Sequence, residues 1–164
     1  MTKPTITHRS GDATAPTGVG PRIIAHIVND QGRWGRGFVL AVSRRWPQPE
    51  HCYRDWHRHR VTNDFALGAV QLVTVGDGLY VANMVAQHGI RRTGSSVIPI
   101  RYDALDRCLT RLGNYATSLD ASIHMPRIGT GLAGGQWAVI EPLITHGLCR
   151  RGIPVTVYDL PPHR

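Results

Sequence analysis

Lysine is almost missing from this chain. Of its nineteen basic residues eighteen are arginine, and Lys3 is the only lysine. That leaves almost no room for a mechanism built on a buried lysine. Cysteine is scarce too: Cys52, Cys108 and Cys149 are odd in number and lack metal-ligand spacing. They predict reduced thiols and a cytoplasmic setting. The histidines do not restore a metal site, because His57 and His59 alternate with arginines and no ligand pair falls on one face. No metal and no cofactor are therefore expected. No apolar run approaches the ~20 residues that span a bilayer. The N-terminus has no apolar core of a signal peptide, so neither a membrane partner nor secretion is expected. Repeats, low-complexity tracts and linkers are absent as well, and 164 residues suit a single domain, 1–164, with a full hydrophobic core. Acidic residues are outnumbered, and the net charge of +8 points to anionic partners, either nucleic acid or a phosphorylated small molecule. The densest basic segment, Arg54-Asp-Trp-His-Arg-His-Arg60, reads better as a solvated helix face than as a nucleic-acid stripe. No recognised nucleic-acid motif is present, and aromatic residues hardly interleave with the basic ones.

Glycine is what the chain does have. One stretch runs from Ile123 through Met125-Pro-Arg-Ile-Gly-Thr-Gly-Leu-Ala-Gly-Gly-Gln to Trp137 and carries Gly129, Gly131, Gly134 and Gly135. A second runs Val28-Asn-Asp-Gln-Gly-Arg-Trp-Gly-Arg-Gly-Phe38. Glycine permits positive φ and lets a ligand lie against bare N–H groups. A helix N-terminus behind such a loop adds unpaired donors and the positive end of a dipole. That combination suits a phosphate or diphosphate, and two such loops in one small domain suggest a nucleotide.

Periodicity places the loops. Strands are predicted over 4–8, 22–28, 69–75, 79–85, 122–125 and 154–158, with Gly76-Asp77-Gly78 as a hairpin turn. Helical patterns cover 37–45, break at Pro47 and Pro49, and resume over 50–60. Two longer helices are predicted over 101–119 and 136–151, and residues 13–21 read as a loop. Alternating strands and helices predict a three-layer α/β/α sandwich on a mixed, largely parallel sheet. Ligands of such sheets sit beyond the carboxyl ends of the strands, where both glycine loops fall.

Gly129-Thr-Gly-Leu-Ala-Gly134 satisfies the dinucleotide fingerprint G-x-G-x-x-G, and Asp159 follows at a suitable distance. The chain ends soon after Asp159, however, with no further βαβ units for a doubly wound dinucleotide fold. A Walker A loop fails for want of its Lys-Ser or Lys-Thr.

The whole pattern resembles the macrodomains, which bind ADP-ribose. Gly11-Asp12-Ala13-Thr14 is similar to the Gly-Asp motif after their first strand, and His26 to Phe38 to a ribose-binding loop with Asn-Asp-x-Gly-x-Trp-Gly-x-Gly. Met125 to Leu132 with Trp137 resembles the phosphate loop of the branch containing terminal ADP-ribose protein glycohydrolase, and Val155 to Asp159 the last strand. The resemblance implies that Asp12, with Ala13, meets adenine and that Tyr158 lies against its ring. It places the diphosphate on Gly129, Thr130, Gly131, Leu132, Ala133 and Gly134. The distal ribose falls to Asn29 and the loop with Gly32, Trp34, Gly35, Gly37 and Phe38. Each has a plainer reading: Asp12 a turn cap, Trp34 a core aromatic, Trp46, Trp56 and Trp137 packing residues. Arg127 reads as a brace for the loop or a partner of an acid beneath it.

That branch works with a lysine on the fourth strand and an aspartate in the phosphate loop. Here the strand 80–87 has no lysine and Ala133 stands at the acid's position. What remains is a hydrolase of mono-ADP-ribose that uses less machinery, on protein esters of Glu or Asp. A carboxylate leaving group, with a conjugate-acid pKa near ~4, needs little protonation. Asp30, the one acid inside a glycine loop without an adenine role, is nominated to activate water, and Asn29 to hold the ribose hydroxyls. Gln87 and His88 are weaker candidates for the same cleft, and Asp30 also reads as a turn cap. The alternatives are a non-catalytic ADP-ribose reader, a phosphatase of ADP-ribose 1″-phosphate, and a hydrolase of thymidine-linked ADP-ribose on DNA. Expected partners are thus ADP-ribose, ADP-ribosylated protein or ADP-ribosylated DNA.

Overall fold

A computed structural model describes residues 5–90 and 92–160. Lys3 lies outside the described residues, as does Pro4. The inner strands β2 (Arg22–Asn29) and β4 (Leu79–Gln87) are apolar on both faces, as strands covered on both sides must be. Alternation sends Ile23 and Ala25 of β2, with Ala82, Met84 and Ala86 of β4, to one side of the sheet. Ile24 and Val28, with Val81 and Val85, go to the other.

Six strands form one sheet in the order β1-β6-β5-β2-β4-β3, where β1 is Thr7–Ser10, β3 is Val70–Gly76, β5 is Ser122–Met125 and β6 is Val155–Asp159. All neighbours are parallel except the β3–β4 hairpin. Helices α3 (Tyr102–Leu119) and α4 (Trp137–Gly147) pack Leu105, Leu109, Leu112, Ile140 and Ile144 on the first face. Helices α1 (Phe38–Arg45) and α2 (Gln48–Arg58) close the second with Val39, Val42, Tyr53 and Trp56. This is the three-layer α/β/α sandwich on a mixed, mostly parallel sheet that the patterning predicts.

Several boundaries differ from expectation by two residues or more. The first strand is displaced from 4–8 to Thr7–Ser10, where it pairs in register with Thr156 to Asp159. Helix α2 begins at Gln48 because Pro49 occupies the first turn, where a missing N–H breaks no helical bond. The last helix stops at Gly147 rather than 151 and gives way to a 3₁₀ turn, Cys149–Arg151. A Cβ at Gly147 would stand 3.2 Å from Leu109 Cβ, so this glycine lets α4 approach α3 closely and also weakens the helix there.

Candidate ligand cleft at the carboxyl ends of the strands

Because β1, β2, β4, β5 and β6 run parallel, their carboxyl ends share one edge of the sheet. The loops that follow them converge there. A cleft of about 290 Å³ opens between the two glycine loops. From the first loop it is lined by Arg36, Gly37 and Phe38, from the second by Pro126 through Ala133, and from the strands by His26, Ile27 and Gln87.

The second loop is shaped by contacts that only glycine satisfies. Gly129 has φ +76°, and a Cβ there would lie 2.5 Å from Ile100 Cδ1 and 3.0 Å from Ile140 Cδ1. Gly135 N donates to Gly129 O at 2.7 Å and Gly134 N to Gly131 O at 3.0 Å, closing the turn on itself. Among the described residues, the N–H groups of Gly131, Leu132 and Ala133 find no internal acceptor. Three successive free donors beside a cleft are a nest for an anion. Arg127 braces the loop from outside, donating to Asp159 Oδ1 at 2.7 Å and stacking over Trp137 at 5.2 Å.

The first loop is built around Asn29. A bulge between Val28 and Asn29 turns its side chain out of the β-ladder. Oδ1 then accepts from Gln31 N (2.9 Å), Arg33 N (3.3 Å) and the Tyr53 hydroxyl (2.9 Å), while Nδ2 donates to Arg33 O. Burial raises the Tyr53 hydroxyl far above its ordinary range, so it stays a neutral donor. Asn29 is 4% exposed and does not line the cleft. Its amide holds the loop in shape, whereas the sequence assigns it to the ribose hydroxyls.

Asp30, its neighbour, bridges to another loop. Its Oδ1 accepts from Gly89 N at 2.8 Å, and its Oδ2 lies 2.6 Å from His88 Nδ1. It therefore caps the turn after β4 rather than its own. Trp34 is 5% exposed and packs against His26 and Tyr53, its Nε1 donating to Val39 O (3.1 Å) and Ser43 Oγ (2.7 Å). It belongs to the core beneath the loop. Gly32, Gly35 and Gly134 shape the loops without lining the cleft.

The residues expected to meet adenine, Asp12, Ala13 and Tyr158, do not line this cleft. Thr14 N and Oγ1 donate to Asp12 Oδ1 at 2.8 and 2.7 Å, and Arg45 lies 3.7 Å from its Oδ2. Partial burial opposes the charge of Asp12, but the Thr14 bonds and Arg45 outweigh it and hold the carboxyl below its ordinary range. Ala13 is buried beside it. Tyr158 is 4% exposed, and its hydroxyl meets Thr17 N at 3.0 Å and His124 Nδ1 at 2.7 Å. Its ring lies under Gly11 as a support for this loop.

The cleft also contains residues that the sequence did not single out. His26, named from the sequence only as the start of the ribose-loop stretch, is 2% exposed yet borders the cleft. Its Nε2 is 2.6 Å from Oδ1 of Asn83, its register partner on β4. Asn83 Nδ2 donates to Pro49 O and Gln71 Oε1, so Asn83 Oδ1 is an acceptor and His26 Nε2 carries the proton. Burial lowers the His26 pKa to about 4, and Nδ1 keeps a lone pair with no partner among the described residues. Arg36 at the rim was legible only as one arginine among many. No group of three or more His, Cys, Asp or Glu among the described residues is placed to hold a metal ion. No helix among them is long and apolar enough to cross a membrane.

No family model matches the chain. It is 35% identical over 166 residues to the Mus musculus chromodomain-helicase-DNA-binding protein 1-like, a match that covers 95% of this chain. The chain spans only 18% of that protein's length. Among solved structures, a macrodomain protein from Streptomyces coelicolor is 56% identical with a TM-score of 0.85, covering 94% of this chain and 98% of that one. Thermosipho africanus DarTG in complex with ADP-ribose shares the fold, with a TM-score of 0.67 at 17% identity over 85% of this chain and 38% of that one.

Proposed function

The chain belongs to the macrodomain family, and on that footing we propose that it is a hydrolase that removes mono-ADP-ribose from carboxylate side chains, Glu or Asp, of modified proteins. The observation that carries the reading is the row of free N–H donors on Gly131, Leu132 and Ala133 beside a cleft at the carboxyl edge of the sheet. Those donors suit a diphosphate, and the ADP-ribose complex of the DarTG neighbour has the same fold. The loop after β2, clamped by Asn29, then forms the wall for the distal ribose, with Arg36, Gly37 and Phe38 facing it. Asp12 and Tyr158 remain the adenine side.

The chemistry follows from what the cleft lacks. Ala133 lines it where the glycohydrolase branch has its aspartate, and β4, which ends in Gln87 at the cleft, carries no lysine, so no amine attacks the sugar. Held water, a fixed ribose and a carboxylate that departs unaided suffice for an acyl-linked substrate. A guanidine leaves poorly without a placed acid, so arginine-linked ADP-ribose should survive. The same two absences favour the second reading, a non-catalytic ADP-ribose reader.

Calorimetry and a linkage panel test both. ADP-ribose should bind with a micromolar-range Kd, and NAD more weakly, because its nicotinamide crowds the loop from Trp34 to Phe38. No heat at millimolar ADP-ribose removes the ligand assignment. On peptides bearing Glu-, Ser- or Arg-linked ADP-ribose and on thymidine-linked DNA, release should be confined to the Glu ester. Binding without release from any linkage establishes the reader. Release from thymidine alone transfers the activity to DNA.

A further inference from the structure

Beside the cleft lies a second, polar cavity of about 600 Å³, lined by Gln31, Arg33, His88, Gly89, Ile90 and Arg92. Residues adjacent in the chain line the two. Gln87 borders the first and His88 the second, while the loop after β2 gives Arg36 and Gly37 to the first and Gln31 and Arg33 to the second. His88 thus directly follows a residue of the cleft wall, and its own loop neighbours the one given above to the distal ribose.

His88 is not a free surface imidazole, although 61% of its side chain is exposed. Asp30, 18% exposed, is immobilised by accepting Gly89 N–H on Oδ1, and its Oδ2 is 2.6 Å from His88 Nδ1. A carboxylate is an acceptor only, so Nδ1 carries a proton whenever the ring is neutral. The lone pair then sits on Nε2, which has no partner among the described residues. Asp–His pairs of this geometry fix the tautomer of a base and stabilise the imidazolium it becomes.

Resting on the hydrolase reading, we propose that His88 is the base that deprotonates the attacking water, and that Asp30 is its positioning residue rather than the base itself. In the step, the water oxygen bonds to the anomeric carbon of the distal ribose as Nε2 takes one of its protons. The bond from that carbon to the acceptor oxygen breaks, and the acceptor leaves as a carboxylate with the bonding pair. Asp30 balances the imidazolium until its proton passes to solvent. Among the described residues, the other charged groups lining this cavity are Arg33, from the loop of Asp30, and Arg92, from the loop of His88. Among the described residues, the segment after that loop that shares a cavity with His88 supplies Ser95, Val97 and Pro99, none of which titrates.

The test is the pH–rate profile of single-turnover release from a Glu-linked ADP-ribosyl peptide, measured between about pH 5 and 8, where imidazole changes charge. Wild type should show an acid limb, rising as the base loses its proton. His88→Gln should lower kcat about 100-fold or more and abolish that limb. Its KM, and its ADP-ribose Kd by calorimetry, should stay within about threefold, because a base that touches only the attacking water adds little to ground-state binding of the nucleotide. Asp30→Asn should lower kcat about tenfold or more with KM within about threefold, because an amide can also donate and no longer holds the proton on Nδ1. Imidazole in the buffer should restore part of the turnover of His88→Ala. A kcat within threefold of wild type in His88→Gln, or an unchanged limb, overturns the assignment while the hydrolase stands. Absence of release by wild type from every linkage overturns both.

Discussion

Gly131 and Gly129 are two residues apart and answer differently to a side chain. At Gly131 nothing lies within 4 Å of a built Cβ, whereas at Gly129 the Cβ meets Ile100 and Ile140 and φ is +76°. Gly131→Glu should therefore leave the fold intact and abolish ADP-ribose binding, since it puts a like charge where the diphosphate is expected. Gly129→Ala should instead cost roughly 1–3 kcal/mol of stability, from overpacking and a left-handed backbone. Thermal unfolding and calorimetry on the two variants separate these outcomes. Binding that survives in folded Gly131→Glu moves the phosphate site elsewhere. At this scale the sequence revealed which loops are glycine-built but not what Asn29 does. Asparagine is equally suited to a ligand hydroxyl and to a turn, and only the positions of Gln31, Arg33 and Tyr53 decide.

Helix α3 shows how far periodicity reaches. Leu105, Leu109, Leu112 and Ala116 recur three or four apart and all are buried, so its face and its extent were readable from spacing. Its end is held less well. Asp120 closes the helix at φ 52° and ψ 45°, the one non-glycine residue with positive φ among those described. Ala121 N still donates to Ala116 O at 2.8 Å, so the left-handed turn closes in spite of that side chain. Asp120→Gly should raise stability by roughly 0.5 kcal/mol, the relief of strain being partly offset by the entropy of an unfolded glycine. A higher urea midpoint at unchanged slope checks it; a lower one means that the Asp120 side chain stabilises the turn. The end of α4 escaped periodicity because Gly147 serves its contact with α3, which no local pattern reports.

Over the whole molecule, buried histidines link stability to pH. Burial lowers His26 and His124 from an ordinary 6.5 to about 4, with Arg22 adding to the effect on His124. Both are neutral in the fold and protonate more readily when the chain unfolds. Their contribution is complete above about pH 6.5 and is lost as pH falls through the folded value near 4. His26 alone should then contribute a loss of about 3 kcal/mol. Urea midpoints measured from about pH 7 down to 4 should fall steadily. A flat profile means that the interior admits a charged imidazole.

The sequence by itself determined the layered α/β architecture, the parallel sheet and the two glycine loops at strand ends, because these depend on periodicity and on which residues tolerate positive φ. It also determined that no lysine stands at the end of β4. Tertiary structure decided which polar side chains reach the cleft and which hold it up. Asn29 faces its own loop, Tyr158 supports the turn above it, and His26 reaches the cleft from a strand that reads as core. Asp30 and His88 lie 58 residues apart in the chain and meet only because β2 and β4 are parallel neighbours. Pairing across a sheet is a property of topology, and local sequence carries no record of it.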